Sequence, residues 1–112
     1  MKDLEIQTYD FAIGGIGFVK SIEKEQPELT NEELKHSIGT VSLKFMDALS
    51  ATENEEFASN LRACHASLIK STQLLNKLKD LNSNLNLQKE KLLEDSRTIQ
   101  DKLDHIISKL IY

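Results

Sequence analysis

The sequence predicts an all-α fold, an antiparallel up-and-down four-helix bundle spanning residues 1–112 as one domain. Two observations carry that expectation. Large apolar residues recur on a seven-residue beat in four separate segments, and the segments between them are short and rich in helix-start and turn residues. Leu34, Ile38, Val41, Phe45 and Leu49 form one such row. Phe57, Leu61, Cys64 and Leu68, extended by Leu75 and Leu78, form a second. Ile99, Leu103, Ile106 and Leu110 form a third, and Leu4, Phe11, Phe18 and Ile22 a fourth. Spacing of three and four puts an apolar stripe on one side of a helix, and such helices must bury their stripes against each other.

Helix 1 is placed over residues 4–24. Its weak stretch is Phe11 to Val19, where Gly14, Gly15 and Gly17 interrupt the apolar run. An interior glycine costs a helix about 1 kcal/mol against alanine. The small residues either admit another backbone at close range or mark a strand or loop; the seven-residue beat kept by Leu4, Phe11, Phe18 and Ile22 favours helix. The glycine spacing does not make a dinucleotide fingerprint, which also needs a strand before it and a helix after it. Pro27, the one proline, punctuates the link to helix 2. Thr30-Asn31-Glu32-Glu33 reads as a capping box that starts helix 2, placed over residues 31–50. Thr52-Glu53-Asn54-Glu55 repeats the signal, so helix 3 starts near residue 53 and runs to about 80. Asn82-Ser83-Asn84-Leu85-Asn86 has turn composition, which places helix 4 over residues 87–111. Four helices joined by short connections pack as antiparallel neighbours.

Composition narrows the function classes. The 112 residues are 39% apolar and 29% charged, the signature of an ordinary globular chain, and a domain of this length buries about two-thirds of its unfolded surface. That supports one core and leaves little for a deep pocket. The net charge of −4 resides in residues 1–52, where five lysines face nine acids; residues 53–112 balance. Neither half has the basic excess of a dedicated nucleic-acid binder. The single cysteine, Cys64, has no internal disulfide partner, and the acidic start Met1-Lys2-Asp3-Leu4-Glu5 lacks a secretory n-region. The longest apolar run has nine residues, far short of the about 20 of a membrane span. A cytoplasmic protein is expected.

No catalytic set stands out. A di-metal centre in a four-helix bundle needs two Glu-x-x-His motifs and two further glutamates. Glu33-Leu34-Lys35-His36 supplies one motif and the sequence has no second. Cys64 and His65 are adjacent, so on a helix they point about 100° apart and do not form a nucleophile–base pair unaided. Cys64 falls on the apolar row and reads as a buried structural thiol, with His65 at the boundary. Asp101, Asp104 and His105 lie among Lys102 and Lys109 on an amphipathic helix and read as a solvated face. No cofactor or metal is expected. Arg62, Lys70 and Lys77 share roughly one side of helix 3, with Lys91, Lys102 and Lys109 spread along helix 4. Such a stripe suits phosphate contacts, although few aromatics are present to stack bases.

The order of features resembles the small bacterial four helix bundle protein family, also called the S23 or 23S rRNA intervening-sequence proteins. Gln26-Pro27-Glu28 matches a proline after the first helix. Glu56-Phe57, Leu61-Arg62 and Ala66-Ser67-Leu68 match the start of the third, and Ile106-Ile107-Ser108-Lys109-Leu110-Ile111 matches the tail of the fourth. Lys35-His36 stands where the family usually has an Arg-Arg pair. The resemblance implies a non-enzymatic bundle that assembles into a ring, often a pentamer. The accessory protein of diversity-generating retroelements, which works with a reverse transcriptase and RNA, is similar in fold.

The functional expectation is a self-associating scaffold or adaptor. Helix 1 carries more apolar residues than one bundle face needs, so Phe11, Ile13, Ile16 and Phe18 are the expected oligomer interface. The alternative is a nucleic-acid-binding accessory subunit acting through Arg62, Lys70 and Lys77; a di-metal enzyme ranks last.

Overall fold

A computed structural model describes residues 1–110. Four helices follow one another: α1 Lys2–Glu25, α2 Glu32–Ser50, α3 Asn54–Lys77 and α4 Ser83–Ser108, with a 3₁₀ turn at Pro27–Leu29 between the first two. Each helix packs on its two neighbours in the order α1, α2, α3, α4 and back to α1, and among the described residues the diagonal pairs α1–α3 and α2–α4 bring no Cα atoms within 8 Å of each other. Cross-contacts fix the directions. Gln7 meets Lys102 while Glu25 meets Asn82, so α1 and α4 are antiparallel. Ser37 meets Ser71 while Val41 meets Cys64, and Thr72 meets Ser96 while His65 meets Asp104, so α3 runs against both α2 and α4. The result is the expected up-and-down bundle, 45 × 21 × 20 Å.

The seven-residue beat becomes the core. Phe11, Phe18 and Ile22 of α1, Leu34, Ile38, Val41 and Phe45 of α2, Leu61, Cys64, Leu68 and Leu75 of α3, and Leu85, Leu92, Ile99 and Leu103 of α4 are buried. Burial of one such large side chain contributes about 1.5–3 kcal/mol before conformational entropy is set against it. The ends of the rows loosen. Leu49 is exposed, and Phe57, Ile106 and Leu110 are half-buried against the core. Ile111 lies outside the described residues, as does the last residue of the helix expected over 87–111.

Helix boundaries depart from the expectation at three starts. Asn31, not Thr30, caps α2: its side-chain oxygen accepts the Leu34 amide at 3.0 Å, while Thr30 closes the 3₁₀ turn. Glu53 precedes α3 without a side-chain cap. The segment expected as a turn at 82–86 is the first turn of α4, with Asn82 accepting the Leu85 amide at 2.9 Å. Asparagine and serine favour turns and N-caps for the same reason, a short acceptor that reaches a nearby amide, so composition alone does not separate the two. The real α3–α4 link is the short stretch after Lys77, where Asp80 takes a left-handed backbone (φ 61°). Gln26 locks that link to the end of α1, donating to the Asp80 carbonyl at 3.0 Å and accepting the Asn82 amide at 2.9 Å.

Small hydroxyls knit the interior. Ser37 donates to the Ser67 carbonyl at 3.0 Å, so its single proton is committed and Ser71, 2.8 Å away, donates to it in turn. On the other side of α3, Thr72 and Ser96 lie 3.0 Å apart and Gln100 donates to both. These bonds satisfy the buried hydroxyls of Ser37, Ser71 and Ser96 and pin the register of α3 against α2 and α4.

The glycine segment is continuous helix. Gly15 is required there: a Cβ would lie 2.5 Å from Cγ2 of Ile38 on α2. Overpacking of this kind costs about 1–3 kcal/mol, more than the about 1 kcal/mol that alanine adds in helix propensity. Gly39 of α2 has open space where its side chain would be. Gly15→Ala is therefore expected to lower the melting temperature and Gly39→Ala to raise it by a few degrees, measured by thermal unfolding of each variant.

Candidate interaction surface

The rotation of α1 decides which of its apolar residues are usable. With α1 seated on α2 through Gly15, Leu4, Phe11, Phe18 and Ile22 turn inward, and Phe11 and Phe18 are fully buried. The expected interface is corrected accordingly: Phe11 and Phe18 belong to the chain's own core and offer nothing to a partner. Ile13 and Ile16 do face outward, at 53% and 40% exposure. Two residues that the sequence reading passed over join them, Ile6 at 52% and Tyr9 at 59%. Ile6, Tyr9, Ile13 and Ile16 are spaced three, four and three, a second apolar row roughly opposite the first. The spacing was visible in the sequence; which of two rows faces inward was not. Lys2 and Lys20 stand one further step along the row at either end.

Beside this row runs a cleft of about 610 Å³ between α1 and α4, lined by Gln7, Asp10, Gly14, Leu87, Lys91 and Leu92 among others. Leu87 on its rim is 72% exposed, the most open large apolar side chain described. Lys91 is paired with Asp95 at 3.3 Å and Lys102 donates to Gln7 at 2.9 Å, so these two helix-4 bases serve contacts within the chain. The cleft has apolar walls, acids at its edge and no gathered nucleophile and base. On α2, Leu43 and Met46 are also exposed.

Arg62, Lys70 and Lys77 all lie on the exposed side of α3. Lys70 is engaged across to α2, its Nζ 2.8 Å from Glu33 Oε1, with both side chains more than half exposed. An exposed pair of this kind adds little stability because water already screens it. It does shape the charge: the hydrogen bond from Lys70, then its positive charge, and to a smaller degree that of Lys77, hold the Glu33 carboxyl below its ordinary 4.5.

The remaining candidates for chemistry have plain structural roles. Cys64 is fully buried, donates to the Val41 carbonyl at 3.3 Å, and its thiol is pushed up to about 12 by burial. A group so placed is neither a thiolate nor reachable. His65 packs at the α3–α4 seam with Nε2 2.8 Å from Asp104 Oδ1, a close approach without hydrogen-bond alignment. Asp101 and His105 are exposed, and Glu33 faces Lys70 rather than His36. Among the described residues no three metal-ligating side chains come together, and no helix is long and apolar enough to cross a membrane.

No family model and no curated protein matches the sequence. A solved structure does. A protein of unknown function from the S23 ribosomal protein family of Bacteroides thetaiotaomicron superimposes with a TM-score of 0.84 at 19% identity, over 95% of this chain and 99% of that one. The fold is shared. The neighbour belongs to the family that the motifs at Pro27, Phe57 and Ile106 resemble, and the whole four-helix architecture, not a fragment of it, is common to both.

Two measurements check the electrostatics of this surface. Because the Glu33 value is depressed in the folded state, the pair stabilises above about 4.5 and that contribution fades as pH falls through the lowered value. Lys70→Gln should raise the Glu33 midpoint toward 4.5 in an NMR titration. Cys64 should resist alkylation in the native protein and react at once in denaturant.

Proposed function

We propose that this chain is a non-enzymatic helical bundle that self-associates and serves as a scaffold or adaptor, with the outer face of α1 as its joining surface. The carrying observation is the second apolar row. A helix in a bundle needs one apolar stripe, and α1 has two, the outer one made of Ile6, Tyr9, Ile13 and Ile16. Contiguous exposed apolar surface marks interaction sites. Its three–four–three spacing fits a helix lying alongside, since knobs at that period fill the holes of a neighbouring helix. The resemblance to S23-type proteins supports the same reading and implies a ring of five chains.

The alternative is a nucleic-acid-binding accessory subunit. Its supporting observation is the exposed basic side of α3 at Arg62, Lys70 and Lys77. Three phosphate contacts give a salt slope of only about −3. With Lys70 held by Glu33 and a chain charge of −4, this reading ranks second.

Light scattering on a sizing column tests the proposal. The expected mass is a multiple of the chain, near five copies. Ile13→Asp, which puts a carboxylate in the centre of the row without touching the core, should weaken association at least tenfold and shift the protein toward single chains. A wild-type chain that stays monomeric at every concentration contradicts the proposal.

A further inference from the structure

The exposed apolar surface of the bundle is one-sided. Besides the outer row of α1, α2 exposes Leu43 at 58%, Met46 at 47% and Leu49 at 37%. Among the described residues, α3 and α4 expose one large apolar side chain each, Ile69 and Leu87. The rows of α1 and α2 border the same seam. As neighbours in an up-and-down bundle the two helices run antiparallel, and Gly15 lies against Ile38. That register sets Tyr9 level with the turn of α2 that carries Leu43 and Met46. Leu49 follows Ile38 by about three helical turns, so it sits on the flank of α2 that faces α1, with Met46 one turn before it. Gly39 lies level with Ile13 and Ile16. It is exposed, with nothing within 4 Å of a Cβ at that position.

Area decides how much of this face a joint needs. With about 200 Å² for a fully exposed side chain of this size, the outer row of α1 offers on the order of 400 Å². That is half of the ~800 Å² that each partner gives to a standard interface. The α2 row brings the face to on the order of 700 Å², close to that standard. Charge does not oppose a second copy of the same face. Lys44 and Asp47 beside the α2 row pair with each other at 3.8 Å, and the margins carry both signs, Lys2, Lys20 and Lys35 with Glu5. Gly39 points the same way independently. An exposed glycine inside a helix lowers its stability against alanine, and no neighbour within the chain needs the space. Such a gap lets the backbone or a large side chain of another chain come close. We infer that α1 and α2 together form one joining face and that a second copy of this chain covers it. The inference rests on self-association through α1 and extends the joining surface to Gly39, Leu43, Met46 and Leu49 of α2.

Light scattering over a range of concentrations tests this on the wild type and three variants. Leu43→Asp with Met46→Asp puts two carboxylates on the α2 row and leaves α1 intact. Gly39→Gln fills the open space with a polar side chain of better helix propensity, so its melting temperature should equal or exceed that of the wild type. Ile69→Asp, on the outer side of α3, is the control. All four positions are exposed, and thermal unfolding by circular dichroism checks that each variant is folded. The α2 double variant and Gly39→Gln should each weaken self-association at least tenfold and shift the mass toward single chains. Ile69→Asp should stay within threefold of the wild type. If the wild type is a single chain at every concentration, the self-association reading falls and this inference with it. If the wild type assembles and either α2 variant assembles as tightly, α1 joins copies without α2 and this inference alone is overturned. An Ile69→Asp control that loses as much affinity as the α2 double variant overturns it as well, since the joint is then not confined to the α1–α2 face.

Discussion

The close approach of α1 to α2 at Gly15 governs the rest of the molecule. Ile38 packs where a Cβ of residue 15 would be, so α1 meets α2 closely on its Gly15 side. That setting drives Phe11 and Phe18 into the core and turns Ile6, Tyr9, Ile13 and Ile16 outward. A methyl group at residue 15 would push the helices apart or roll α1, and either movement would disturb both rows together. The glycines that lower the intrinsic helicity of this segment are thus the condition for its packing, and the lost propensity is offset by large side chains buried on the inner row.

Secondary support comes from polar contacts at the seams rather than from surface ion pairs. The Ser37–Ser71 and Thr72–Ser96–Gln100 clusters sit where α3 meets α2 and α4, and each would leave a buried hydroxyl unsatisfied if α3 slipped along its axis. At the surface, Gln26, Glu25 and Asn82 tie the end of α1 to the start of α4. The exposed pairs Glu33–Lys70 and Lys91–Asp95 set local charge more than stability.

Helix number, order and direction were legible in the sequence because the seven-residue rows of α2, α3 and α4 each run along one side of a helix and the links between them are short. α1 was legible only in part. Its apolar residues cover two sides, and periodicity alone gives no ranking between Phe11 with Phe18 and Ile13 with Ile16; the packing of Gly15 does. Asn82 was misread because a capping asparagine and a turn asparagine look alike until the following amides are placed, and at the start of α2 the capping-box pattern put the cap one residue early, on Thr30 instead of Asn31. The hydroxyl clusters had no signal at all, since serine is usually exposed and its burial here depends on a partner on the neighbouring helix. The spacing of Arg62, Lys70 and Lys77 along one side of α3 was legible in the sequence, but the hold of Glu33 on Lys70 was not, because it depends on how α2 lies against α3.

The central claim is that α1 has two covered rows, one inside the chain and one between chains. Thiol labelling of Ile13→Cys as a function of protein concentration tests it most directly, because buried Cys64 contributes no background. The account predicts fast labelling in dilute protein and at least tenfold slower labelling at concentrations where the assembly forms. Labelling that is equally fast at every concentration, in protein shown to be assembled, would contradict it.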